Sequence, residues 1–473
     1  MQKRFVDGIQ RKAPKKPDQP LESAKPIIPP KVLPEADKQL TTKSKRQKRL
    51  WFLGVFLIFI ITFLVLFWQG LLGQKFVFAR LALDLNGKYL ILFQNNTELR
   101  PSGGFIGSLA EVDLSRGKIK NYSYNTNIYR QNKEFVKKQC LTPPKPFKDA
   151  WGDEAKCFFL VDSNWSPDFQ KAAEDFQMYY KQVDEGSFDG VISLDTNVFI
   201  DLLKIIGPIE MPQYNLTITP ENFTREVQYQ VEKEYWKDQE NWDINEPKTI
   251  LKDMMPIVLQ RIKNYKLFPG LAGLAINNLK SKHMLFSLKE SNLSKIVQKN
   301  NWGGEVKQTE DDYLYINNAN LGGLKSSQNV KETINIKSRI KDEGSIENTL
   351  TYTRSHQGNG IWPDAKNQNY TRILVPKGSI LLTKKSIETI DLQNELGKTE
   401  FGFWTTVSPG ETKTFELTYL LPFKKQNEHS ILIQKQPGAR DDIKINYKLE
   451  NGTSWNWQGL LNSDKTIEIN LIK

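Results

Sequence analysis

The chain has 473 residues and a formal net charge of +12, from 66 Lys and Arg against 54 Asp and Glu. A mean hydropathy of −0.52 excludes a polytopic membrane protein, whose many spans would raise the average. Two cysteines exclude a disulfide-rich scaffold, and three scattered histidines argue against a multi-histidine zinc site.

Residues 1–49 form a basic tail. They contain 14 Lys or Arg, five Asp or Glu and seven prolines, with Phe5 as the single aromatic residue. So few apolar side chains do not bury enough surface to offset the conformational entropy of the chain. We therefore expect a disordered tail. The tail carries +9 of the net charge, so the residues after it have a net charge of only +3. A balance this close to neutral does not indicate a nucleic-acid-binding surface.

Residues 50–73 contain no charged side chain. Their 24 residues exceed the roughly 20 that an α-helix needs to cross about 30 Å of hydrocarbon. A buried core helix would show a polar face, and a cleavable signal peptide would have a shorter charged region and a small-residue cleavage site. The sequence therefore predicts one transmembrane signal anchor. Because the basic residues precede it, the tail is expected in the cytoplasm and residues 74–473 outside.

Residues 74–328 are predicted to form an α/β domain, because strand patterns alternate with helix patterns. Ser166 and Pro167 predict the start of one helix, and Gly207 with Pro208 the end of another. A long helix is expected from Thr219 to about Lys237, and one from Pro247 that is interrupted at Pro256. The expected strands lie at residues 88–94, 104–114, 118–125, 188–195, 283–289 and 312–318.

From residue 329 to 473 the period of the apolar residues changes to two. Val330, Ile334, Ile336 and Ile340 share one face of a strand whose other side chains are polar. The same alternation returns three times before the C-terminus. The predicted fold is therefore an outward α/β domain and a C-terminal all-β sandwich, preceded by one N-terminal transmembrane helix.

The segment Gln94–Ser108, QNNTELRPSGGFIGS, is the most unusual string in the chain. An arginine beside glycine amides can hold a phosphate or carboxylate, which makes the segment a candidate ligand site. The alternative is a turn in which Arg100 pairs internally with Glu98 or with a buried acid. The candidate ligand-binding residues are Asn95, Asn96, Glu98, Arg100, Gly103 and Gly104.

Asp189 and Asp195 bracket a predicted buried strand and, with Arg100, are the candidate catalytic residues. Two acids in such places can act as general acid and base. Residues there also cap strand ends and the helices that follow, which is the alternative. No zinc-protease or nucleophile-elbow motif occurs, and the sequence predicts no resident metal or cofactor.

Cys140 and Cys157 flank a Pro-rich loop in the part expected outside the membrane, where oxidation is permitted. A disulfide between them would close that loop and contribute about 3 kcal/mol in the chain-entropy model. Two free thiols are the alternative.

The chain resembles the bacterial domain-of-unknown-function family 4012. The resemblance rests on QNNTELRPSGGFIGS, SNWSPDFQKAAEDF, DGVISLDTNVFIDLLKIIGPIEMP and NANLGGLKSSQNV, followed by a β-rich stretch that ends PGETKTFELTYLLP. These strings cover most of residues 85–425. Proteins of that family are typically single-pass and outward-facing, with no established activity. The resemblance thus implies a bacterial plasma membrane location and a cell-envelope role.

In the order of its elements the chain is also similar to the LytR-CpsA-Psr glycopolymer phosphotransferases. That resemblance implies contact of Arg100 with a polyprenyl pyrophosphate, whose charge Mg²⁺ held by acids such as Asp195 would neutralise. Those enzymes carry several arginines on two late helices, whereas this chain has only Arg225 and Arg261 nearby. We therefore expect a non-catalytic envelope protein that binds or organises surface glycan or protein. A transferase acting on lipid-linked glycan is the alternative.

Overall fold

A computed structural model describes residues 73–470, apart from residues 185, 426, 427 and 452. They lie within one compact unit, Gly70–Lys473. The predicted tail and all but the last residue of the predicted anchor fall outside the described residues. Within the described part, no helix is long and apolar enough to cross a membrane.

Helices and strands alternate in the first part of the unit, and strands fill the second. The described helices are α1 (Gly73–Asp84), α2 (Tyr129–Lys138), α3 (Lys145–Trp151), α4 (Phe169–Tyr180), α5 (Thr196–Ile206), α6 (Phe223–Tyr229), α7 (Glu240–Ile244), α8 (Thr249–Ile262), α9 (Phe268–Lys280) and α10 (Ser291–Lys299). The strands of the first part are β1 (Asn86–Arg100), β2 (Gly103–Ser115), β3 (Lys118–Asn125), β4 (Gly190–Asp195), β5 (Ile209–Met211), β6 (Leu216–Ile218) and β7 (Met284–Leu288).

The first sheet has the strand order β3-β2-β1-β4-β7. Only the β1–β4 pair is parallel, so the sheet is mixed. Each face carries its own apolar cluster: one includes Leu90 of the sheet with Phe135 and Phe176 of the helices, and the other includes Tyr89 with Leu279. This three-layer arrangement confirms the mixed α/β prediction. Strands β5 and β6 form a separate small hairpin.

The second part consists of two six-stranded sheets with the orders β12-β15-β10-β9-β17-β18 and β13-β14-β11-β8-β16-β19. They share one large apolar cluster, as a β-sandwich requires. The strands are β8 (Asp312–Asn320), β9 (Val330–Ile340), β10 (Ser345–His356), β11 (Asn369–Pro376), β12 (Ile380–Lys385), β13 (Asp391–Glu395), β14 (Lys398–Trp404), β15 (Thr412–Lys424), β16 (Glu428–Gln434), β17 (Lys444–Asn451), β18 (Thr453–Leu460) and β19 (Lys465–Asn470).

The predicted boundary at residue 328 is wrong. Strand β8 lies inside the second sheet of the sandwich, between β11 and β16. All nine of its residues are buried, so it lacks the alternation of exposed and buried positions that begins at Val330. A strand that is covered on both faces gives no pattern to show which sheet it joins.

Several predicted helix ends also differ from the structure. Asp168, not Ser166, caps α4, because its carboxylate accepts hydrogen bonds from the amides of Gln170 and Lys171. Pro256 lies inside α8 and does not interrupt it. The end of α5 is as predicted, since Gly207 follows it with a φ of 81°.

The chain after β1 joins the two parts. Leu99 packs into the core of the sandwich, although β1 belongs to the first sheet. The side chain of Gln436 donates a hydrogen bond to the carbonyl of Arg100, and that of Asn317 donates to the carbonyl of Pro101. The α/β part and the sandwich therefore form a continuous unit rather than two independent domains.

A disulfide joins Cys140 and Cys157. Beside it, the amide of Phe158 donates a hydrogen bond to the carbonyl of Leu141 over 2.7 Å. The bridge and this pairing close the loop that carries α3.

Candidate functional site

A cavity of about 390 Å³ is lined by β1 to β4 together with α5, α6 and α8. Along its β1 and β2 lining the register shifts twice, between Phe93 and Gln94 and between Asn95 and Leu99. Register shifts of this kind redirect side chains and are common beside ligand sites. The volume lies within the range typical of small-molecule sites.

Aromatic rings form much of the lining. The ring of Phe199 lies 5.6 Å from that of Phe93 and stacks on that of Phe223, with centroids 5.8 Å apart and planes 10° apart. Flexible and branched aliphatic side chains complete the apolar lining: Leu194, Val227, Val231, Leu251, Met254 and Met255. Such a lining suits an apolar chain better than a sugar or a nucleotide.

Helix α6 does not continue as the uniform helix that the sequence predicts. It passes into a π-helical segment, Gln230–Glu234, and then a 3₁₀ turn, Tyr235–Lys237. π-helical turns occur frequently at functional sites. Val231, Glu232 and Trp236 of this irregular segment line the cavity.

Four charged side chains beside the cavity form a group here called the Arg100 cluster: Arg100, Glu98, Asp162 and Lys325, of which Lys325 lines the cavity. Nη2 of Arg100 donates to Oε1 of Glu98 over 2.9 Å, and its Nη1 lies 3.4 Å from Oδ1 of Asp162. Arg100 is only 2% exposed and does not line the cavity. The guanidinium is therefore engaged by internal acids, as in the alternative reading of the sequence.

Burial dominates the electrostatics of the Arg100 cluster. It raises the pKa of Asp162 to about 6, although the positive charge of Arg100 opposes the rise. The second carboxylate, Glu98, also pairs with Lys325. Two cations and two acids thus nearly neutralise each other, which leaves the cluster little capacity for a further anion.

In the QNNTELRPSGG string, the glycines allow neighbouring chain segments to pack closely, and the amide side chain of Asn96 makes internal hydrogen bonds. A Cβ on Gly103 would lie 1.6 Å from Oε1 of Gln94, and one on Gly104 would lie 2.3 Å from the backbone of Asn95. Asn96 donates to Asp195 and to the carbonyl of Gly438. Of the six predicted ligand-binding residues, Asn95 alone lines the cavity.

Asp189 and Asp195 lie at opposite ends of β4 and do not converge. Asp195 follows Asp189 by six positions of extended chain, which corresponds to about 20 Å. The carboxylate of Asp189 is exposed and accepts a hydrogen bond from the amide of Lys88 over 2.8 Å. That of Asp195 caps α5 through the amide of Asn197. Arg100 and these two acids therefore do not form one reaction centre.

His283 is a buried partner of Asp195, and no pattern in the sequence marks it as a site residue. Its Nδ1 lies 2.5 Å from Oδ2 of Asp195, and its Nε2 lies 3.3 Å from the carboxylate of Asp441. Burial alone would lower the pKa of His283, but the two carboxylates outweigh it and raise the pKa. Lys435 pairs with Asp441 on the sandwich side. The group links the α/β part to the sandwich.

Lys248 is the second residue that the sequence analysis missed. It precedes α8, lines the cavity, and donates a hydrogen bond from Nζ to the carbonyl of Gly107. The side chain is half-buried, and its partial loss of hydration lowers the pKa of Lys248 to about 7; the nearby charge of Lys325 adds to that effect. In the sequence, Lys248 simply follows Pro247 near the start of a helix, and no local pattern indicates that its side chain lines a cavity.

In the described part of the chain, no three His, Cys, Asp or Glu side chains are grouped so that they would hold a metal ion.

A family model described as "Protein of unknown function (DUF4012)" matches residues 85–231. This match supports the resemblance to that family and includes the segments that carry β1, β2, β4, α5 and α6. No curated protein matches the chain.

Two solved structures are similar to limited parts of the chain. A putative nutrient binding protein from Legionella pneumophila is 14% identical, with a TM-score of 0.20, over 26% of this chain and 51% of that protein. An M1 zinc metallopeptidase from Deinococcus radiodurans is 12% identical, with a TM-score of 0.16, over 30% of this chain and 39% of that protein. The similar region thus spans about half of the first protein and less of the second.

Proposed function

We propose that the chain is a non-catalytic binding protein of the bacterial cell envelope, and that its cavity holds the apolar chain of an amphipathic molecule. The observation that carries this proposal is the 390 Å³ cavity with its aromatic and aliphatic lining. An envelope glycan would then be bound through its lipid rather than through its sugars. Burial of an apolar chain contributes about 0.8 kcal/mol for each CH₂ group.

The proposed location rests on the sequence before the described residues. An uncharged run of 24 residues follows a tail of +9, as in a signal anchor with its N-terminus in the cytoplasm. The disulfide between Cys140 and Cys157 fits the oxidising side of a plasma membrane. A binding protein held there has direct access to the bilayer and to lipid-linked envelope components.

A transferase acting on polyprenyl-pyrophosphate-linked glycan has less support. Such an enzyme needs free positive charge beside the apolar chain, and Arg100 is instead paired with Glu98 and Asp162. Arg225 is exposed and pairs with Glu226, whereas Arg261 donates to the backbone carbonyls that follow α5. These arginines do not converge on the cavity.

Replacement of Val227 by tryptophan is expected to fill the cavity and to weaken binding of an apolar probe at least tenfold. Val227 lies on α6 and lines the cavity. The measurement is the fluorescence of N-phenyl-1-naphthylamine titrated into the full chain held in a non-ionic amphipol. The matched control is Arg225→Trp on the same helix, whose wild-type side chain is 75% exposed and does not line the cavity. Equal probe binding by Val227→Trp and the wild type would overturn the proposed function.

A further inference from the structure

The ammonium of Lys248 faces the apolar cavity without an acidic partner. Its hydrogen bond goes to a neutral carbonyl, that of Gly107, and it lies 5.8 Å from the ring centroid of Tyr129. Among the described residues, no carboxylate forms an ion pair with it. The side chain is half-buried, and an unpaired ammonium that has lost part of its hydration beside apolar groups is stabilised when an anion binds to it.

The acids near Lys248 are already engaged. Glu98 is paired with Arg100 and Lys325. Glu232 lines the cavity, and its Oε1 lies 3.9 Å from Nζ of Lys325. Asp195, which also lines the cavity, is bonded to His283. Among the described residues, Lys248 is therefore a cation beside the cavity that no carboxylate contacts as an ion pair, although Glu232 and Glu98 lie near enough to favour its charged form.

We propose that Lys248 binds the carboxylate of a single-chain amphiphile, whose hydrocarbon chain occupies the cavity. This inference rests on the proposed function, since it names the head group of the ligand that the cavity holds. One free ammonium matches one negative charge. Glu232 also lines the cavity and repels any bound anion, and it repels a doubly charged phosphate about twice as strongly as a singly charged carboxylate.

Such binding is coupled to a proton. In the free protein, burial and Lys325 lower the pKa of Lys248 to about 7, while Glu232 and Glu98 partly oppose them. A bound carboxylate favours the charged ammonium and raises that pKa. Above pH 7 the protein must take up a proton to bind, so affinity falls by up to tenfold for each pH unit. Below pH 7, and down to the pKa of the ligand's carboxyl group at about 4–5, the affinity stays constant.

The test compares three ligands that share one chain: dodecanoate, 1-dodecanol and dodecyl phosphate. Each displaces N-phenyl-1-naphthylamine from the full chain in non-ionic amphipol, at pH 6 and at pH 8.5. We expect dodecanoate to bind at least tenfold more tightly than dodecanol at pH 6, and at least tenfold less tightly at pH 8.5 than at pH 6. Dodecanol should bind equally at both pH values.

Two variants test recognition of the ligand's head group separately from binding of its hydrocarbon chain. In Lys248→Met the preference for dodecanoate and its pH dependence should disappear, while dodecanol still binds. Lys252→Met, at an exposed position of α8 four residues after Lys248, should behave as the wild type. Equal affinities for dodecanoate and dodecanol in the wild type would overturn the role of Lys248 and leave the proposed function standing. Tighter binding of dodecyl phosphate would overturn the choice of a carboxylate, and failure of all three ligands would overturn both proposals.

Discussion

Arg100→Leu is expected to lower the free energy of unfolding by about 3–5 kcal/mol, because it removes the cation between two buried carboxylates. Glu98 would keep Lys325, but Asp162 pairs with no other cation in the described part of the chain. Asp162 is 3% exposed, so water does not replace the lost partner. Equilibrium urea unfolding of the full chain, followed by tryptophan fluorescence, measures the change.

Arg225→Leu is the matched control for Arg100→Leu. Its guanidinium is 75% exposed, so its loss should change the free energy of unfolding by no more than about 0.5 kcal/mol. A second variant, Asp162→Asn in the Arg100→Leu background, should recover part of the lost stability, because it removes the unpaired charge. If Arg100→Leu retains wild-type stability, the guanidinium is not structural and Arg100 returns as a candidate ligand-binding residue.

The architecture could be predicted where patterns are local. The alternation around Ile334 and Ile336 predicted β9, and the Gly207–Pro208 pair predicted the end of α5. The assignment of β8 could not be predicted, because its nine buried residues have no alternation that would reveal its sheet partners. Local periodicity fixes an element but does not state which distant strand it pairs with.

In the candidate site, too, local features could be predicted from the sequence, whereas contacts between distant residues could not. The QNNTELRPSGG string is unusual in sequence, and in the structure its Gly103 and Gly104 allow a close approach of β1 and β2. Lys248 and His283 lie far in sequence from the residues that perturb them: Lys248 lies beside Gly107 of β2, and His283 meets Asp195 and Asp441. Their chemical character comes from burial and from distant charges, which a sequence pattern does not display.

Asp195→Asn is expected to lower the free energy of unfolding by about 3 kcal/mol at pH 5.5, and by clearly less at pH 9. Asparagine can still cap α5 through the amide of Asn197, as Asp195 does. It does not supply the negative charge that lies 2.5 Å from Nδ1 of His283. The variant thus removes mainly the stabilisation of the charged imidazole.

The sign of the pH effect follows from the raised pKa of His283. A group whose pKa is higher in the folded than in the unfolded chain stabilises the fold fully below the unfolded value, about 6.5 for histidine. That contribution is lost as the pH rises through the folded pKa of His283. Asp195 and Asp441 favour the charged ring, whereas burial and the charge of Lys435 oppose it. The stability difference between the wild type and Asp195→Asn should therefore shrink from pH 5.5 to pH 9.

The free energy of unfolding of Asp195→Asn is compared with that of the wild type at each pH, because other groups also titrate in this range, Asp162 and Lys248 among them. Their contributions are common to the wild type and to Asp195→Asn and cancel when the curves are subtracted. Glu174→Gln, whose wild-type side chain is 75% exposed, should show no pH-dependent difference. A constant difference for Asp195→Asn across the range would mean that His283 stays neutral when folded. The link between the α/β part and the sandwich would then rest on hydrogen bonds rather than on charge.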